Sequence, residues 1–200
     1  MVQMLSASLK PAVTRGITPI ARGALRMGFT PNGVTFIGAL GLVCSALYFY
    51  PAQRFFMGTM FISFFSLADL FDGAMARISQ TGASRWGGFL DSTIDRVTDS
   101  AILLGLTISL IDSNDSLVPV SLCVIVTSML VPYIRAKAES LGVACSGGIA
   151  ERTERLILVL VAIGLHGLGV PYALAIGIWL LLLLTAITVV QRFLIVRAAL

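Results

Sequence analysis

Long apolar runs separated by short polar breaks make up most of the chain. A helix needs about 20 mostly apolar residues to cross the hydrocarbon core of a bilayer. The runs predict six spans, at roughly 33–50, 54–77, 86–111, 116–141, 151–166 and 172–197. Thr30-Pro31-Asn32 opens the first as a capping residue followed by proline, a helix-start signal. A hydrophilic loop at 79–85 follows the second, a glycine-rich stretch at 145–149 precedes the fifth, and 167–171 turns into the sixth. Ahead of them, Lys10, Arg15, Arg22 and Arg26 are spaced among Leu, Val, Ile and Met. That pattern predicts an amphipathic helix at the membrane interface, and it lacks the apolar block of a signal peptide. The expected architecture is an all-α integral membrane protein of one domain over residues 1–200. It would comprise a juxtamembrane helix at 1–29 and a six-helix bundle at 30–200.

Composition agrees. Of the 200 residues, 57% are hydrophobic and 12% charged, against about 25% charged in soluble domains. Numbered from the N-terminus as one side, thirteen of the fourteen Lys and Arg residues fall on or toward that side, and only Arg54 falls opposite. Such a bias places both termini in the cytoplasm. It also accounts for the net charge of +4 without a nucleic-acid partner. Cys44, Cys123 and Cys145 have neither disulfide nor zinc spacing and are expected to be small buried thiols. His166, the one histidine, is expected to be interfacial and not catalytic.

Charge within such a chain is costly and usually functional. Asp69 and Asp72 lie near the end of the second span, Asp91 and Asp95 near the start of the third. Spacings of three and four residues put each pair on one helical face. The short 79–85 loop makes the two helices antiparallel neighbours, so both pairs lie at similar depth. Four converging carboxylates repel one another unless a hard cation neutralises them. Oxygen-only ligands suit Mg²⁺ or Mn²⁺, and four aspartates suffice for two ions, an arrangement that serves phosphoryl chemistry. Gly73, Ala74 and Ala76 between the acids leave room for a helix or a ligand.

The stretch Asp69-Leu-Phe-Asp72-Gly73-Ala-Met-Ala76-Arg77, followed by Gly87-Gly-Phe-Leu-Asp91-Ser-Thr-Ile-Asp95, resembles the DxxDGxxAR…GxxxDxxxD signature of the CDP-alcohol phosphotransferases. Nine residues, 78–86, separate the two halves, one more than the family pattern, and the excess falls in the polar loop. The resemblance implies displacement of CMP from a CDP-linked donor by an alcohol. In these terms Asp69, Asp72 and Asp91 ligate metal, and Asp95 helps bind it and acts as general base. Asp69, Gly73, Ala76 and Arg77, with Pro31 and Asn32, approach the CDP-lipid. Asp99 lies one turn beyond Asp95, outside the signature, and is read as a partner for Arg96 or another cation.

A second polar set surrounds the same end of the spans: Arg135 and Lys137 late in the fourth, Arg152 and Arg155 opening the fifth, Arg192 late in the sixth. Guanidinium forks pair well with phosphate. As a group these residues suggest a pocket for an anionic acceptor. The segments around them, YIRAKAES, GGIAERTERLIL and VVQRF, resemble the bacterial phosphatidylinositol phosphate synthases within that family. That likeness implies transfer from CDP-diacylglycerol (CDP-DAG) to myo-inositol 1-phosphate, with the acceptor phosphate on Arg135, Lys137, Arg152, Arg155 and Arg192. It further implies a homodimer in the bacterial inner membrane with its active site facing the cytoplasm. Glycerol 3-phosphate, the acceptor of phosphatidylglycerophosphate synthases, is the rival. An ion-coupled transporter is a remote alternative, since it would spread its acids through the depth of the spans.

Overall fold

The computed structural model describes residues 18–19, 21–23, 25–78, 84–145 and 147–200, with the side chains at 69, 70, 72, 76 and 77 outside the description. Among the described residues it is all-helical: α1 Pro31–Phe49, α2 Phe55–Ser66, α3 Ala68–Ile78, α4 Arg85–Asp112, α5 Val118–Ser140, α6 Arg152–Gly167 and α7 Ala173–Ala199. Short helical stretches at 18–19, 21–23 and 25–26 precede them. Most of the expected juxtamembrane helix, and most of the 79–85 loop, lie outside the described residues.

Helix starts follow local chemistry. Thr30 caps α1, its hydroxyl accepting from the Gly33 amide at 3.1 Å. Ser84 caps α4 in the same way, accepting from Gly87 at 2.9 Å. Each satisfies one of the amides that a helix N-terminus leaves without a partner.

The expected second span is not one helix. It divides at Leu67 into α2 and α3. The Ser66 hydroxyl donates back to the Ile62 carbonyl at 2.8 Å, and the Leu67 amide takes the tighter three-residue bond to Phe64 at 3.2 Å. Back-bonding by a serine weakens the ladder and bends the chain. α2, with 12 residues, rises only about 18 Å and cannot cross a bilayer by itself.

Among the described residues, three helices are long and apolar enough to cross a membrane: α1, α5 and α7. Their outer faces carry large apolar side chains in the open, among them Phe36 and Leu40 on α1 and Trp179, Leu183 and Phe193 on α7. The buried positions include Thr107, Ser121, Thr185 and Thr188. Large apolar side chains on the outer faces, with hydroxyls set among the buried apolar residues, fit helices solvated by lipid. Cys44 and Cys123 follow the same rule. Both are exposed, and only Cys145 is buried, which corrects the expectation of three buried thiols: an apolar run in a span faces lipid as readily as core.

The described chain forms two compact units, one of residues 1–44 and 61–98, the other of 45–60 and 99–200, with α1, α2 and α4 contributing to both. In the first, α1 lies tight against the chain around Leu67: Gly38 abuts Ala68 and Gly41 abuts the Phe65 ring, so neither position has room for a Cβ. Ala21, Ala74 and Met75 form its buried cluster, flanked by Leu25, Val34 and Ile78. In the second, α7 packs along α5 and α6. Gly177 abuts Ala162, and Gly105 of α4 abuts the Ala46 carbonyl. Hydroxyl pairs add to this packing, Thr127 with Thr185 at 2.8 Å and Thr107 with Ser121 at 3.1 Å. His166 is exposed and meets the Phe55 ring edge-on at 4.9 Å.

Candidate active site

The first unit carries the acids. Asp69, Asp72, Gly73, Ala76 and Arg77 lie on α3, whose Ala74 and Met75 are buried. Nothing further is described of the side chains of Asp69, Asp72, Ala76 and Arg77. On α4, Asp91 is exposed and Asp95 half-buried. They are four residues apart and share a face. The Asp95 carboxylate is 3.4 Å from the Arg96 guanidinium. The serine cap at 84 starts α4 early enough to put Gly87 inside the first turn. A methyl group on Gly87 would meet Ser84 Oγ at 3.1 Å and Asn32 Oδ1 at 3.4 Å. Asn32, at the start of α1, therefore stands beside the glycine that opens the second half of the motif. Pro31 precedes it, its carbonyl accepting from the Thr35 hydroxyl at 3.0 Å.

An apolar groove of about 380 Å³ runs along the same unit, lined by residues that include Phe29, Val34, Ile37, Phe64, Phe71 and Met75. Phe71 and Met75 belong to α3, the helix that carries Asp69 and Asp72.

The second unit carries the cations. Arg192 is buried at 4% exposure. Its Nε donates to the Gly147 carbonyl at 2.9 Å and its Nη1 to the Val131 carbonyl at 2.6 Å. Arg155, also buried, donates from Nη1 to the Ala150 carbonyl at 3.1 Å. The Ala150 amide in turn donates to the Thr188 hydroxyl at 3.1 Å. Two arginines and one threonine thus clasp the 147–150 segment. The segment suits this because Gly147 and Gly148 adopt φ of +144° and +127°, and a methyl on Gly148 would meet Thr188 Cγ2 at 2.5 Å. Only glycine combines that backbone with that approach.

Arg152 and Arg155 both meet Asp99, at 3.5 Å each. The cation partner expected for Asp99 is this pair on α6. Arg135 and Lys137 are exposed on α5, and Arg135 holds Glu139 at 2.8 Å. The five cations therefore differ in kind: two are buried and fixed to backbone, one is half-buried on a carboxylate, and two stand in the open. Sequence reading missed the Thr188 clasp, although Thr188 and Arg192 are spaced for one helical face.

Residues 29–197 match the family model of the CDP-alcohol phosphatidyltransferases. The chain belongs to that family. A relative, the phosphatidylinositol phosphate synthase of Mycobacterium tuberculosis (strain ATCC 25618 / H37Rv), is 43% identical over 188 residues, which cover 92% of this chain and 86% of that one. The crystal structure of the Mycobacterium tuberculosis phosphatidylinositol phosphate synthase with CDP-DAG bound is similar at TM-score 0.87 and 43% identity, over 91% of this chain and 94% of that one. The same enzyme in complex with manganese and citrate is similar at TM-score 0.85 and 42% identity, over 90% and 88% of the two chains. This family member is membrane-embedded, a transferase by its kinship and apolar by its exposed helix faces.

Proposed function

We propose that the chain transfers the phosphatidyl group from CDP-DAG to myo-inositol 1-phosphate and releases CMP. The observation that carries this reading is the 43% identity, over 91% of the chain, to a phosphatidylinositol phosphate synthase structure with CDP-DAG bound. The phosphate of this acceptor gives the cationic set of Arg135, Lys137, Arg152, Arg155 and Arg192 its chemical sense, since guanidinium forks pair well with phosphate.

In this mechanism Asn32, Gly73, Ala76 and Arg77, with Asp69 and Pro31, hold the cytidine diphosphate end of the donor. The apolar groove along α3 takes its hydrocarbon. Asp95 accepts the proton of the acceptor hydroxyl as that oxygen attacks the phosphatidyl phosphorus, and the bond to CMP breaks. Arg135, Lys137, Arg152, Arg155 and Arg192 hold the acceptor phosphate. Asp69, Asp72, Asp91 and Asp95 form an all-oxygen set, and the accessible Asp91 beside half-buried Asp95 fits a hard cation. Mg²⁺ or Mn²⁺ bound there, as two ions, would supply positive charge against the diphosphate and the departing CMP.

The same reading includes six spans, with α2 and α3 together making the second, an N-terminal interfacial helix, and both termini and the active site on the cytoplasmic side of a bacterial inner membrane. It also includes one membrane domain that pairs as a homodimer. Thiol labelling from outside intact cells of single cysteines introduced into a cysteine-free variant tests the topology: Asn114→Cys should react and Arg85→Cys should not. The activity is tested by offering purified enzyme CDP-DAG and a panel of acceptors while following CMP and lipid product. Inositol 1-phosphate should turn over. Activity with glycerol 3-phosphate alone would overturn the acceptor, and vesicle ion flux without CMP would overturn the enzyme.

A further inference from the structure

One half-buried acid has no task in that mechanism. Asp99 stands outside the aspartate signature, four residues beyond Asp95 on α4, with its side chain 16% exposed. Its Oδ1 is 3.5 Å from Arg152 Nε and its Oδ2 is 3.5 Å from Arg155 Nη2. Arg152 and Arg155 are three residues apart, so both rise from one face of the first turn of α6.

Two guanidiniums side by side repel each other, the more so where water is scarce. A carboxylate between them removes that repulsion. The three side chains together keep a net positive charge, which suits an anion. Geometry matters as much as charge. A free arginine side chain samples many rotamers, and ordering it during binding costs affinity. Arg155 is ordered in advance, with one nitrogen on the Ala150 carbonyl at 3.1 Å and another toward Asp99.

We propose that Asp99 is a positioning residue for the anionic group of the acceptor, acting through Arg152 and Arg155 without touching substrate. The proposal rests on the acceptor reading above. It predicts a defect in acceptor use and not in donor use, because both of its partners belong to the cationic set.

The test compares the purified full-length enzyme with Asp99→Asn, Asp99→Glu and a control, Thr107→Val. The control lies two turns farther along α4, where the Thr107 hydroxyl bonds Ser121 at 3.1 Å. KM and kcat are measured for inositol 1-phosphate at saturating CDP-DAG and for CDP-DAG at saturating inositol 1-phosphate. Asp99→Asn should raise the KM for inositol 1-phosphate at least about tenfold, the scale of one lost charge-assisted contact, with the KM for CDP-DAG unchanged and kcat moving less. Asp99→Glu keeps the charge and should recover part of the loss. Thr107→Val should lower thermal stability and move neither KM. The proposal fails if Asp99→Asn leaves the acceptor KM unchanged. It fails equally if both KM values and kcat shift together, which is what loss of structure alone would do. Should Asp99→Asn not fold, Asp99→Glu carries the comparison: a smaller rise in acceptor KM supports the role, and no rise overturns it. A wild-type enzyme that uses glycerol 3-phosphate but not inositol 1-phosphate overturns the acceptor reading instead. The same variants are then decisive with glycerol 3-phosphate, whose phosphate makes the same demand.

Discussion

Replacing Arg192 by lysine keeps the charge and removes the fork. The wild-type guanidinium makes two hydrogen bonds from separate nitrogens, to Gly147 O at 2.9 Å and to Val131 O at 2.6 Å, in a site with 4% exposure. A lysine has one nitrogen on a flexible stem and can reach one of these carbonyls. Losing a hydrogen bond to a charged group costs about 1.5–3 kcal/mol. In a chain of this size each kcal/mol shifts the melting temperature by roughly 2–4 °C, so Arg192→Lys should melt roughly 3–12 °C lower. Thr188→Val removes the neutral bond to the Ala150 amide, worth about 0.5–1.5 kcal/mol. Both bonds hold the same segment, so the double variant should depart from additivity by at least about 0.5 kcal/mol. The assay is thermal unfolding in detergent of wild type, both single variants and the double. A melting temperature for Arg192→Lys equal to wild type, or strict additivity, would refute the clasp.

Three other outcomes are expected. Gly105→Ala places a methyl on the Ala46 carbonyl oxygen. Because backbone cannot swing aside, the overpacking should cost about 1–3 kcal/mol, read as a lower melting temperature. Asp95→Asn should lower CMP release by about a hundredfold or more, as for loss of a general base, while CDP-DAG binding persists in a pull-down with labelled donor; normal turnover would end the base assignment. Chelation with EDTA should abolish CMP release, and Mg²⁺ or Mn²⁺ should restore it; turnover that survives chelation would remove the metal from the mechanism.

The apolar runs, the helix starts at Thr30 and the spacing of the four aspartates were legible because each depends on residues within a turn or two. The break at Leu67 was not. Ser66 can sit in a continuous helix or bond back to Ile62, and composition does not choose between them. The cationic set was legible as a set but not in its parts. Nothing in the chain order distinguishes Arg135, exposed on Glu139, from Arg192, buried on two carbonyls.

The sequence by itself determined the class of molecule and its chemistry: apolar runs that need lipid, and acids and cations whose presence there requires a charged substrate. Only the tertiary structure decided which cations are fixed and by what. Arg192 meets Val131 and Gly147 across 61 and 45 residues of chain, and Arg155 meets Asp99 across 56. Such pairings arise when helices pack, because a buried guanidinium must find acceptors wherever the fold presents them. Periodicity and spacing describe one helix at a time and carry no record of that choice.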